Sequence, residues 1–239
     1  MNPYLPLAFA AMATLSACSS VERTRDLSNP NTSSRTIALQ VCSNCHGVDG
    51  NAVSPNFPIL AGQTPEYLAT QLKQFRERSR SDQAAVQYMW GLTRSLTDAQ
   101  IEGLAAYYAS QTPNNKVQKT ALNSTDAGKD IYLNGIPSQN VPACVECHGD
   151  QGQGNNSSPR LASQHADYLL KQLMVYQQTD HRPKGGIMKP IAQALTVGDV
   201  NAVAAYLQTM DAAAGAYAND TRSKGSVQEA SAEAPTTVR

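Results

Sequence analysis

Two five-residue units in this chain could do chemistry: Cys42-Ser43-Asn44-Cys45-His46 and Cys144-Val145-Glu146-Cys147-His148. Two cysteines three positions apart share one face of a helical turn, so both can bond covalently to the vinyl edge of one porphyrin. The histidine that follows is placed to reach the iron as its proximal ligand. Cys and His also ligate zinc. A zinc site is the alternative, but covalent haem explains the five-residue unit and its repetition better, each time followed by a glycine (Gly47, Gly149). The pattern predicts two covalently bound c-type haems. One is held by Cys42 and Cys45 with His46 on its iron, the other by Cys144 and Cys147 with His148 on its iron.

A sixth ligand must come from elsewhere. The only other histidines are His165 and His181, and neither has a counterpart in the first half of the chain. Met89 and Met188 do correspond: each stands seven residues before a Leu-Thr pair, Leu96-Thr97 or Leu195-Thr196. Both are expected in loops before the last helix of their half, as axial ligands opposite His46 and His148. Met174 and Met210 fall on helix stripes and read as core. Methionine ligation raises the reduction potential, because a thioether favours the softer ferrous state. A ligand histidine also needs its other ring nitrogen held. Pro58 and Pro159 follow the two haem units at similar distances, and a proline carbonyl is a free acceptor as well as a turn former.

The elements that must position these groups form an internal repeat. Pro58-Ile59-Leu60-Ala61-Gly62-Gln63 matches Pro159-Arg160-Leu161-Ala162-Ser163-Gln164, and Tyr67-Leu68 with Gln71-Leu72 matches Tyr168-Leu169 with Gln172-Leu173. Ala105-Ala106-Tyr107 matches Ala204-Ala205-Tyr206. In the first half, helices are predicted over Thr36–Cys45, from Thr64-Pro65 with an N-cap and a proline at the first position, and from Thr97, where Thr97-Asp98-Ala99-Gln100 reads as a capping box. Ile101, Leu104, Ala105 and Tyr108 then form an apolar stripe. The second half predicts helices over Ala127–Asn134, Ala166–Gln178 and Val197–Met210. The fold class is all-α. About eighty residues per half make a thin core, and a covalently held haem supplies the missing apolar mass.

The chain has 239 residues, 19 Lys and Arg against 19 Asp and Glu, and five cysteines. No basic stripe would offset phosphate charge, so no nucleic-acid partner is expected. The fifth cysteine, Cys18, ends the string Leu15-Ser16-Ala17-Cys18 after a short apolar stretch. That stretch is too short for a membrane span and reads as an export signal. The string resembles the bacterial lipoprotein signal, which implies lipidation of Cys18 and membrane attachment through an N-terminal lipid. No Lys or Arg precedes the apolar stretch. A plain export signal with an incidental cysteine is the alternative. The expected organisation is an export signal over 1–18, a flexible tether over 19–34, domains over 35–110 and 126–211, a linker over 111–125, and a disordered tail over 212–239.

With these residues assembled, the chain resembles the di-haem cytochrome c4 family over about 36–210. The resemblance rests on Cys42 through Gly47, Pro55-Asn56-Phe57-Pro58 through Gln63, Val141-Pro142-Ala143-Cys144 through Gly149, and Met188-Lys189-Pro190-Ile191-Ala192. It implies two tandem class I cytochrome c domains related by a pseudo-twofold axis, with Tyr and small apolar residues after each Pro-x-Leu unit as interface candidates. It also implies periplasmic electron transfer. The donor would be a quinol-oxidising complex or a dehydrogenase, and the acceptor a terminal oxidase. Met89 is followed by Trp90, and Ser79 to Gln87 has no likeness in the second half. The competing readings are a di-haem enzyme of peroxidase or thiosulfate dehydrogenase type, which would need an exchangeable or different sixth ligand, and a dedicated cytochrome subunit of a dehydrogenase.

Overall fold

The computed structural model describes residues 26–114 and 125–211. The export signal with Cys18, the first part of the tether, most of the linker and the C-terminal tail lie outside them. The described residues form two helical halves built on one plan, with no strand longer than an isolated bridge. None of their helices is long and apolar enough to cross a membrane.

In the first half, helix α1 (Ser34–Ile37) is capped by Ser33, whose hydroxyl accepts from Thr36 N at 3.1 Å. It runs through a π-helical turn, Ala38–Cys42, into α2 (Ser43–His46). One unbroken helical stretch therefore carries the first haem unit. It ends at Gly47, where φ is +80° and a side chain would be strained and would crowd Asn51 O. Helix α3 (Pro65–Arg76) begins at the predicted proline. The Thr64 hydroxyl does not cap it; the Thr64 backbone N donates to Gln63 Oε1 at 3.0 Å. A second π-helical turn, Ala85–Met89, leads into α4 (Trp90–Thr93). Helix α5 (Asp98–Ala109) opens with the predicted capping box: Gln100 N donates to Thr97 Oγ1 at 3.1 Å, and Thr97 N to Gln100 Oε1 at 3.0 Å. Its stripe of Ile101, Leu104, Ala105 and Tyr108 is buried against Ile37, Leu68 and Leu96.

In the second half, α6 (Thr125–Asn134) is separated from the haem unit by a loop holding a 3-10 turn at Pro137–Gln139 and a bridge between Ile136 and Val141. The unit itself lies on and just before α7 (Val145–His148), which again ends at a glycine, Gly149, with φ of +82°. Helix α8 (Ala166–Gln178), the short α9 (Met188–Ala194) and α10 (Val197–Thr209) follow. Helix α10 opens with a capping box of its own, Thr196 with Asp199. Val200, Val203, Ala204 and Leu207 pack on Ile131, Tyr132, Leu169 and Leu195.

The first and last helices of each half cross at close quarters, and one glycine makes each crossing possible. In the first half it is Gly103 of α5, against the side chain of Ser34. In the second it is Gly128 of α6, against the backbone of Ala202. The glycine has changed helices between the repeats while the close approach has stayed. Residues 26–33, part of the segment whose composition reads as a tether, lie against α5. Leu27 packs on the first core, and Gln100 Nε2 donates to Asn29 O at 3.1 Å and Thr32 O at 3.0 Å.

A methyl group at Gly128 would overlap the Ala202 carbonyl, and backbone cannot rotate away. Gly128→Ala should therefore cost about 1–3 kcal/mol, seen as a lower thermal midpoint of the haem-loaded protein by circular dichroism. Gly91→Ala on α4, where an added methyl meets nothing within 4 Å, should be neutral or stabilising by up to about 1 kcal/mol.

Candidate functional site

His46 and His148 are the last residues of α2 and α7, and each is more than nine-tenths buried. His46 Nδ1 donates to Pro58 O at 3.0 Å, and His148 Nδ1 donates to Pro159 O at 2.8 Å. A carbonyl only accepts, so the proton sits on Nδ1 and the Nε2 lone pair is left free. Burial pushes both imidazole pKa values down, with the proline carbonyl opposing in part. Each half thus presents a neutral imidazole oriented by its second nitrogen, the arrangement of a metal-ligating histidine. Within the turn that leads into each histidine stand two thiols, four residues and one residue before it. Cys42 and Cys144 are half-buried, and Cys45 and Cys147 are exposed.

Met89 and Met188 are half-buried, on different elements from the histidines. The expected loops are short helices instead: Met89 closes the π-helical turn before α4, and Met188 opens α9. Thr93 Oγ1, donating to Met89 O at 2.8 Å, and the flanking helical turns supply the local bonds that a loop would lack. His165 and His181 do not behave alike. His165 is buried with its Nε2 donating to Ala52 O at 2.9 Å, while His181 is exposed. Among the described residues no three His, Cys, Asp or Glu side chains converge to hold a metal ion, so the zinc alternative has no ligand set there.

The two halves meet through buried polar groups that sequence reasoning missed. Arg80 Nη1 donates to Gln71 Oε1 at 2.7 Å and its Nη2 to Gln172 Oε1 at 3.0 Å. Arg182 donates to Gln172 Oε1 at 2.8 Å, Gln71 Oε1 at 3.0 Å and Tyr67 OH at 3.0 Å. Each arginine therefore holds the glutamine of its own half and that of the other. Arg80 Nε also pairs with Asp82 Oδ1 at 2.6 Å. Tyr67, an interface candidate from sequence, is part of this cluster. Burial raises its phenol pKa, but Arg182 and Arg80 beside it outweigh burial and hold it below the ordinary value. The signal that could have found the cluster is the repetition of Gln71 as Gln172 on otherwise amphipathic helices.

Arg160 is 1% exposed; its Nη1 donates to Ala162 O, and its Nε and Nη2 have no partner. Burial pulls its pKa down to about 10. A buried guanidinium with two idle nitrogens fits an anion that the polypeptide does not supply. The carboxylate-bearing edge of a haem has that chemistry. The thiol pairs, the neutral imidazoles and this orphaned cation together fit the group that the two five-residue units imply.

The family model described as cytochrome c matches twice, over residues 34–112 and 125–211. A cytochrome c4 of Azotobacter vinelandii is 36% identical over 177 residues, covering 70% of this chain and 83% of the relative. The chain belongs to the di-haem cytochrome c4 family. The solved cytochrome c4 of Acidithiobacillus ferrooxidans matches with a TM-score of 0.66 at 37% identity, covering 70% of this chain and 97% of that one. A thiosulfate dehydrogenase electron acceptor of Stutzerimonas stutzeri is 34% identical over 173 residues, covering 71% of this chain and 78% of the relative. As a member of the cytochrome c4 family, the chain is built from tandem cytochrome c domains that bind two covalent c-type haems, and it is an electron carrier of that type.

Removing the Arg182 guanidinium would leave Gln71, Gln172 and Tyr67 short of a buried donor. Arg182→Leu should cost about 3 kcal/mol, measured as a lower guanidinium chloride midpoint of the haem-loaded protein.

Proposed function

We propose that this chain is a periplasmic electron carrier with two six-coordinate irons. His46 and His148 are the proximal ligands through Nε2, Met89 and Met188 the distal ones, and Cys42, Cys45, Cys144 and Cys147 the covalent attachment points. The observation that carries this reading is the pair of buried neutral imidazoles, each held by a proline carbonyl at 3.0 or 2.8 Å. A bound c-type haem supplies a one-electron iron couple. The polypeptide does the rest. Pro58 and Pro159 fix the tautomer and plane of each ring, and the thioethers of Met89 and Met188 bias the irons toward the ferrous state. The unpartnered nitrogens of buried Arg160 would meet anionic charge on a bound haem. If Met89 and Met188 hold the irons opposite His46 and His148, no position would be left open for a substrate, and peroxidase-like or dehydrogenase chemistry would be disfavoured.

The domains run over 35–110 and 126–211, joined by the linker 111–125. The partners are redox proteins: a quinol-oxidising complex or a dehydrogenase as donor and a terminal oxidase as acceptor, with no nucleic acid. A second reading, as the dedicated acceptor of a dehydrogenase, is supported by the relative from Stutzerimonas stutzeri named for that role. The two differ in whether a dehydrogenase is the sole donor: reduction by a quinol-oxidising complex would mark a general carrier, and reduction by a thiosulfate dehydrogenase alone a dedicated acceptor. Lipidation at Cys18 would tether the carrier to a membrane after export.

Met188→Ala should abolish the near-infrared sulfur–iron band of one haem, lower that haem's potential and let the iron bind carbon monoxide. An unchanged spectrum would show that another residue is the ligand. Cys18→Ser should move the haem protein from the membrane fraction to the soluble periplasm. A wild type already soluble would make Cys18 incidental.

A further inference from the structure

Each half reaches into the other with one glutamine, and each glutamine takes hold of the N–H and the C=O of a single residue there, Ile59 in one half and Arg160 in the other. Gln164 of the second half accepts from Ile59 N at 2.8 Å through Oε1 and donates to Ile59 O at 2.9 Å through Nε2. Gln63 of the first half accepts from Arg160 N at 2.6 Å and donates to Arg160 O at 3.0 Å. All four residues are buried. Ile59 N and Pro58 C=O belong to one peptide unit, as do Arg160 N and Pro159 C=O. Those carbonyls are the acceptors of His46 Nδ1 and His148 Nδ1. Two continuous chains of hydrogen bonds result. One runs from His46 through the 58–59 peptide to Gln164, and the other from His148 through the 159–160 peptide to Gln63.

We propose that Gln63 and Gln164 are positioning residues that tune the iron ligand of the opposite domain through this peptide relay. The inference rests on the reading of His46 and His148 as iron ligands. Its physical basis is amide polarisation. A peptide whose N–H donates to a good acceptor carries more negative charge on its oxygen, and serial hydrogen bonds strengthen one another in a buried, low-dielectric setting. The proline carbonyl then draws harder on Nδ1–H, and the imidazole becomes a more basic ligand at Nε2. A more basic ligand favours the ferric state, so an intact relay lowers the potential of the haem it serves. Docking of the two domains thus sets the electronic character of both sites, each glutamine acting on the other domain's histidine.

The effect must therefore cross the interface, which a glutamine that merely holds two domains together would not require. In the full-length di-haem protein, Gln164→Leu should raise the potential of the haem at Cys42 and Cys45 and leave the other haem nearly unchanged, by spectroelectrochemical titration. Gln63→Leu should do the reverse. Gln164→Glu keeps an acceptor for Ile59 N, so it should leave the first haem's potential unchanged or lower it. This variant keeps the test decisive if the Leu variants load haem poorly. Paramagnetic NMR of the oxidised protein separates the two levels of inference. If the His46 ring protons are not hyperfine-shifted, His46 is not an iron ligand and the underlying reading fails. If they are shifted, Gln164→Leu should move the His46 Nδ1–H resonance. Potentials that move together, move only in the substituted domain, or rise equally in Gln164→Glu and Gln164→Leu would overturn the relay.

Discussion

An imidazole can offer a lone pair to a metal in a fixed direction only if its other nitrogen keeps a proton and something holds that proton in place. In both halves of this protein a proline carbonyl does so, and much of the local architecture is what it takes to bring that carbonyl to a histidine eleven or twelve residues earlier. The chain must reverse directly after the histidine, which Gly47 and Gly149 allow. It must then be anchored on its return. Leu60 N and Ala61 N donate to Gly50 O, and Leu161 N and Ala162 N donate to Gly152 O. Gly62 N reaches Tyr108 O on α5, and Ser163 N reaches Leu207 O on α10. The same bonds recur in both halves because the same distance must be closed twice.

The interface between the halves is built against the usual preference for apolar burial. Three buried arginines face only one buried carboxylate among the described residues, and two glutamine side chains are given over to backbone groups of the other half. Buried charge is costly to desolvate and adds little stability of its own. What such a network provides is register, since its donors and acceptors match in one arrangement only. A protein meant to hold two redox centres at a constant separation needs that register more than it needs extra apolar area. The positive excess also suits the anionic edges of the haems that cytochrome c domains bind.

The repeat is not a copy. The first haem unit continues a helix through a π-helical turn, whereas the second is set apart by a loop between α6 and α7. Ile59 corresponds to Arg160, so a buried apolar side chain in one half is a buried cation in the other. Met89 ends a π-helical turn and Met188 begins a helix. Two sites of the same type therefore stand in unlike surroundings within one chain.

Much of this was legible in the residues alone. Helix starts at Pro65, Thr97 and Ala166 follow from a proline, a capping box and amphipathic spacing, which are local causes with local effects. The paired Cys-x-x-Cys-His units and the prolines after them belong to the same category, because covalent attachment and a hydrogen bond over one short loop depend on nearby sequence. Met89 and Met188 read as loop from sequence yet lie on helical turns, because helical segments of five to seven residues leave too little periodicity to read. The interface was not legible. Gln63, Gln164, Arg80, Arg182 and Arg160 are polar residues that sequence logic assigns to solvent by default. The bonds that cross between the halves join residues far apart along the chain, Ile59 with Gln164 and Gln63 with Arg160. Sequence by itself determined the chemistry that each half can hold, because ligands and attachment points are set by residue type and short spacing. Only the tertiary structure decided how the halves hold each other, because long-range polar pairing depends on where folded surfaces meet.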